Sequence, residues 1–229
     1  MGTTITNTFT IEYEEEIVLP DVSNLVTEDD TPVDNLVSER QMRLLSDSGY
    51  ASWPGPGDGR TFVVLANVAL YAMSKMPPLV PDVMLILDVT LPEDPWPKEK
   101  RSYFIWEYGK PPEIVIEIVS NRKGNELGNK LLDYARVGVA YYVVFDPQKL
   151  LSDNMLRIFA RRGTGFEEIA ETWFEDVGIG VTLWEGDYQG LHTTWLRWCN
   201  RTGAILPTGA ERAERLAAQL RALGVEPEA

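Results

Sequence analysis

A chain of 229 residues with 44% hydrophobic and 24% charged side chains has the balance of an ordinary soluble globular protein, which excludes a disordered, collagen-like or disulfide-scaffold chain. Its 35 acidic side chains outnumber the 21 basic ones for a net charge of −14, which argues against loose, charge-driven binding to nucleic acid or anionic membrane. A single cysteine, Cys199, and a single histidine, His192, exclude an internal disulfide and any centre needing two imidazoles, while carboxylates for a hard cation remain plentiful.

Residues 1–35 are acidic, are broken by Pro20 and Pro32, and read as an extended arm ahead of a domain over 36–200. The arm has no basic segment followed by an apolar run, and no stretch of the chain reaches 18 apolar residues. The expected address is therefore the cytoplasm, with no membrane partner. From Ser38, SERQMRLLSDSGY predicts a short serine-capped helix with Met42, Leu44 and Leu45 apolar. SWPGPGDG is a loop by composition. TFVVLANVALYAM and PDVMLILDV predict strands, as do SYFIWEY and EIVIEIV, with LPEDPWPKEK a proline-punctuated loop between the two pairs.

NELGNKLLDYARVGV sets Leu127, Leu131, Leu132 and Ala135 three to four residues apart, the apolar stripe of a helix ended near Gly138. AYYVVFDP predicts a buried strand closed by Pro147, and LRIFARR with GFEEIAETWFE a hairpin around Gly163 to Gly165. The run through GVTLWEGDY carries no decisive pattern. Over 208–224, GAERAERLAAQLRALG predicts an amphipathic helix with Leu216, Leu220 and Leu223 on one face. Strands, a helix between two strands, then further strands make an α/β or α+β arrangement.

The chain has no P-loop, no G-x-G-x-x-G and no G-x-S-x-G elbow. Candidate chemistry rests on Asp82, after a proline at a strand start, on Glu117 inside an apolar strand, and on Lys130 of the next helix. In EIVIEIV the alternation puts Ile114, Ile116 and Ile118 on one face and Val115, Glu117 and Val119 on the other. A carboxylate between two valines is costly unless it is paired, hydrogen-bonded or bound to a metal, and a structural ion pair is the plain alternative. Lys130 follows Glu126 by four residues, a spacing that also suits a solvated helical pair. Asp82 alone also reads as a turn aspartate.

Taken in order, VPDVMLILDV, PPEIVIEIVS and GNKLLDYARVGVAYYVVFDP resemble the Uma family of the restriction-endonuclease-like PD-(D/E)XK superfamily, a domain-of-unknown-function group assigned to endonucleases. The resemblance covers about residues 30–190 and extends to the C-terminal helix. It implies a central mixed β-sheet flanked by helices, and a Mg2+-dependent endonuclease that hydrolyses phosphodiester bonds of nucleic acid, DNA above all. Asp82, Glu117 and the backbone carbonyl of Ile118 would hold the ion, with Mn2+ able to substitute, and Lys130 would orient the water or stabilise the phosphate. The superfamily's lysine stands two residues after the glutamate, where this chain has Val119, so the role passes to Lys130 on the helix.

Glu39 matches an extra acidic position of the superfamily, and also reads as a solvated first-turn glutamate favoured by the helix dipole. Ser120, Arg122 and Lys123 suit a phosphate contact, or a solvated basic loop. Tyr134, one turn after Lys130, lines the pocket or joins the core. Basic clusters at Lys98 to Arg101, Arg122 to Lys130 and Arg157 to Arg162 are candidates to line one cleft. The fold implies a homodimer by analogy. The alternative is a catalytically inactive nuclease-fold protein that serves as an interaction or assembly module.

Overall fold

Short runs of valine, leucine and isoleucine pair into the sheet on which everything else is built. The computed structural model describes residues 35–57, 59–122 and 124–227. The expected N-terminal arm lies outside them save for Asn35, and so does Lys123. In chain order the elements are α1 (Leu36–Ser52), β1 (Phe62–Ala66), β2 (Leu70–Tyr71), β3 (Val83–Leu87), β4 (Tyr103–Phe104), α2 (Ile105–Tyr108), β5 (Ile114–Ile118), α3 (Asn129–Val137), β6 (Tyr141–Phe145), β7 (Leu156–Arg162), β8 (Gly165–Ile169), β9 (Trp173–Phe174), β10 (Ile179–Tyr188), β11 (Leu191–Cys199) and α4 (Gly209–Ala222).

Six strands form a central mixed sheet in the order β1-β3-β5-β6-β7-β8. Within it only β5 and β6 are parallel, and α3 is their crossover, as parallel neighbours require. β3 and β5 are buried along their whole length, so the sheet carries a core on each face. Ile114, Ile116 and Ile118 pack on one face with Leu45 of α1 and Trp198 of β11. Val115 and Val119 pack on the other with Met84, Tyr134 and Tyr142. The first face is covered by α1 and a second sheet, β11-β10-β9; the other by α3, α2 and the parallel pair β2–β4. This is the α/β arrangement of a mixed sheet flanked by helices expected of a restriction-endonuclease-like core. Each of the three isoleucines contributes about 1.5–3 kcal/mol by burial alone.

Several local expectations are corrected. α1 is capped by Asn35, whose side-chain oxygen accepts from the Val37 and Ser38 amides at 2.9 Å each, while Ser38 is buried inside the first turn. Asn35 is extended, as a cap must be. TFVVLANVALYAM is two strands, because Asn67 adopts a left-handed φ of 54°, a conformation that asparagine tolerates. SYFIWEY gives only β4, then the single helical turn α2 closed by left-handed Gly109; a short apolar run does not separate strand from helix. On α3, Leu131 and Ala135 reach the core as expected and Tyr134 joins them, while Leu132 is exposed.

The unassigned run is the first limb of the long β10–β11 hairpin. Its two-residue turn, Gln189–Gly190, has both φ values positive, as the strand twist prefers. The β7–β8 hairpin forms as expected, but Trp173–Phe174 crosses to the second sheet. Thr208 and Glu211 form a reciprocal capping box at the start of α4. Arg197 of β11, with its side chain 1% exposed, donates to both oxygens of Glu211 at 3.1 and 2.7 Å. The first turn of α4 is thus pinned, while Leu216, Leu220 and Leu223 along it are exposed. No helix among the described residues is long and apolar enough to cross a membrane.

Candidate active site

Antiparallel pairing of β3 with β5 sets Val83 opposite Ile116. Asp82 precedes β3 by one residue, and the same register continued by one step would set it opposite Glu117. Directly opposite residues point to the same face, so the two carboxylates share the face of Met84 and Val115. Pro81, which has no amide hydrogen to continue the ladder, precedes Asp82. In place of a strand carbonyl, the Asp82 carboxylate accepts the Ile118 amide at 2.6 Å.

Glu117 is 2% exposed, and two side chains of α3 meet it. Lys130 Nζ donates to its Oε2 at 2.8 Å, and the buried Tyr134 hydroxyl to its Oε1 at 2.6 Å. The spacing is that of one helical turn, which brings residues four apart onto one side of α3. Burial pushes the Glu117 carboxyl up to about 7 against the pull of Lys130, and Asp82 adds to the rise. For Lys130, burial acts to lower the ammonium, but Glu117, Glu126 and Asp82 outweigh it and hold the group above its ordinary value. Burial, then Glu117, raises the Tyr134 hydroxyl well above its usual range.

Glu126 is a further member of this cluster. It is not the solvated half of a helical pair, because α3 begins only at Asn129 and Glu126 is buried in the turn before it. One of its oxygens lies 3.7 Å from Lys130 Nζ; the other is buried with no hydrogen-bond partner among the described residues. Gly124 makes room for it, since a Cβ there would fall 1.8 Å from Glu126 Oε1. The signal in the sequence is the pair Gly124 and Gly128 around Glu126, which disfavours a helix running through that residue.

The other candidates are not drawn together in the same way. The Ser120 hydroxyl, at the end of β5, accepts from the Asn121 side chain at 3.1 Å, and Arg122 is exposed in the following turn. Glu39 sits on α1, which packs against the opposite face of the sheet, and its carboxylate is engaged by Arg43 and Arg40. Of the basic clusters, the third lies on β7, where Arg157 donates to both oxygens of Glu168 on β8 and Arg162 pairs with Glu167. His192 is exposed beside Asp187 and Glu185, and Cys199 is buried.

The donor set suits magnesium, which takes oxygen ligands and commonly keeps several waters beside one or two carboxylates. Asp82 and Glu117 supply carboxylate oxygens of that kind, engaged with the Ile118 amide and with Lys130 and Tyr134 respectively. Among the described residues, no three or more His, Cys, Asp or Glu side chains converge as a metal-holding group. The fit is therefore to an ion sharing its sphere with water.

Comparison with known families bears on this geometry. Residues 31–153 match the Uma2 family model, whose description reads "Putative restriction endonuclease", and the match spans more than half of the chain. The protein belongs to the Uma2 family. The matched segment holds α1 through β6, and with them Asp82, Glu117, Glu126, Lys130 and Tyr134. The second sheet and α4 follow the Uma2 match. No curated protein matches the chain.

Proposed function

We propose that this Uma2 protein is a metal-dependent endonuclease that hydrolyses phosphodiester bonds in nucleic acid, with DNA the expected substrate. The reading is carried by one observation. The Asp82 carboxylate accepts the amide of Ile118, the residue after Glu117, and the Lys130 ammonium lies 2.8 Å from the glutamate. Asp82, Glu117 and the Ile118 carbonyl would hold Mg2+ or Mn2+. When bound, the ion would lower the pKa of a coordinated water and offset charge on the scissile phosphate.

The chain's own residues have separate tasks. Asp82 stays anchored to the Ile118 amide, which fixes the spacing of the two strand ends. Tyr134 holds Glu117 in one rotamer from the buried side. The side chain of Lys130 is 32% exposed, so its ammonium reaches both the carboxylate and a phosphate arriving from solvent. A fixed cation at that place stabilises charge that grows on a phosphate oxygen, an effect worth about 10²–10³ in rate. With a net charge of −14 the surface repels a polyanion at long range and salt screens that repulsion, so the steep fall with salt of a broadly basic nucleic-acid-binding surface is not expected.

Incubation of supercoiled plasmid with the protein in Mg2+, Mn2+ or EDTA tests the proposal. Nicking or linearisation that needs the divalent ion and disappears in Asp82→Asn and Glu117→Gln supports it. Cleavage that survives in both variants refutes the site, and a wild type inert on duplex, single-stranded DNA and RNA in either metal refutes the nuclease reading. A second reading, an inactive nuclease-fold module that assembles through α4, is favoured by the exposed Leu216 and Leu223. That helix is also where we place the contact of an active homodimer.

A further inference from the structure

We propose that the cleft beside Trp96 is a subsite for an unpaired nucleobase, on the same sheet face as Glu117; the proposal rests on the nuclease reading above. Trp96 is 76% exposed, in a molecule whose other large aromatic rings are mostly buried. Its loop is not slack. Pro92, Pro95 and Pro97 fix φ along it. The Trp96 amide donates to Asp94 Oδ1 at 3.1 Å, and Arg101 Nε donates to the Trp96 carbonyl at 2.7 Å. A tryptophan held in the open on a braced loop forgoes the large burial that usually stabilises this residue.

The indole borders a cleft of about 570 Å³, within the range of small-ligand sites. Leu65, Tyr103, Tyr108 and Leu91 supply apolar and aromatic wall, and the two tyrosine rings are stacked at 4.6 Å and 4° from parallel. Lys100, Arg101 and Glu93 also line it and are exposed. Ser102, in the same wall, has a buried hydroxyl with no hydrogen-bond partner among the described residues. A flat ring with a polar edge, joined to a phosphate, matches this inventory: the ring stacks on the indole and the phosphate meets Lys100 and Arg101.

The position suits the proposed chemistry. Leu65 pairs with Met84, and Met84 with Val115, two residues before Glu117 on the same face. At about 4.8 Å per strand the cleft lies on the order of 10 Å across the sheet from β5, near enough for one strand of nucleic acid to touch both.

The test uses the full-length protein in EDTA at fixed salt, with a fluorescein-labelled single-stranded hexathymidylate followed by anisotropy. Trp96→Ala should weaken binding roughly 5- to 150-fold, as loss of one base stack does, while Trp96→Phe retains most of it. A duplex of the same length should bind more weakly and be insensitive to Trp96. Hexathymidylate binding unchanged in Trp96→Ala, or absent in the wild type, overturns the subsite. So does a wild-type dimer by light scattering that Trp96→Ala dissociates without altering oligonucleotide binding, which assigns the face to self-association. Because no metal is present, Trp96-dependent binding beside a plasmid assay without cleavage would refute the nuclease reading and leave the base site standing. Cleavage lost in Asp82→Asn with no Trp96 effect on binding would do the reverse.

Discussion

Exchanging Glu117 for glutamine isolates the penalty of a buried charge, because glutamine keeps the shape and discards the ionisation. In the fold, burial lifts the Glu117 carboxyl to about 7 from an ordinary value of 4.5. Between those two values the unfolded chain gives up its proton before the folded one does. Stability from this group is therefore fully present below about pH 4.5 and is lost as pH rises through 7. At 1.36 kcal/mol per pH unit the full loss is about 3 kcal/mol, of which about 2–3 kcal/mol falls between pH 5 and 8.5. Lys130 stays charged across that window and adds only a constant offset. Urea unfolding of both proteins at pH 5 and 8.5 reads the effect as a difference of differences. Glu117→Gln should gain on the wild type by that amount at the higher pH, and millimolar Mg2+ at pH 8.5 should restore the wild type alone. A wild-type-to-variant difference equal at the two pH values refutes the buried-charge reasoning.

Lys130→Ala should leave Mn2+ affinity within a few-fold while lowering cleavage about 10²-fold or more, measured by calorimetry beside the plasmid assay; loss of metal binding instead would make Lys130 a structural group. Tyr134→Phe removes a buried donor to Glu117 and should cost about 1–2 kcal/mol by urea unfolding. Glu211→Ala leaves the Arg197 guanidinium buried with the Leu206 carbonyl as its remaining hydrogen-bond acceptor. Water reaches the partly exposed Glu211 side, so the loss should be about 2 kcal/mol rather than that of a fully buried pair. Truncation after Pro207 shares the defect and should lower the thermal midpoint; an unchanged midpoint would mean that Arg197 is not held by α4.

The central strands were legible because VMLIL and IVIEI are short, β-branched or apolar, and bounded by breakers, and the alternation in EIVIEIV placed Glu117 on the face it occupies. Pairing partners were not legible. Nothing local states that Asp82 comes near Glu117, which depends on β3 and β5 being antiparallel neighbours. The second sheet was missed because β10 alternates imperfectly, with Gly180 and Gly186 interrupting it, and its decisive signal is only the Gln189–Gly190 turn. The i, i+4 spacing of Glu126 and Lys130 describes a solvated pair and a buried one equally well, so it does not place Glu126. Glu39 shows the opposite limit: a matching place in the chain did not bring it to the carboxylates, since α1 packs on the other face.

Manganese binding followed by electron paramagnetic resonance, on the wild type beside Asp82→Asn and Glu117→Gln, tests the proposed centre without any assumption about substrate. The two variants control for loose association with a chain of charge −14. Saturable binding in the wild type that is lost in both variants is the predicted result. Equal binding in all three proteins would contradict it, and would leave Glu117, Lys130 and Tyr134 as a buried structural network.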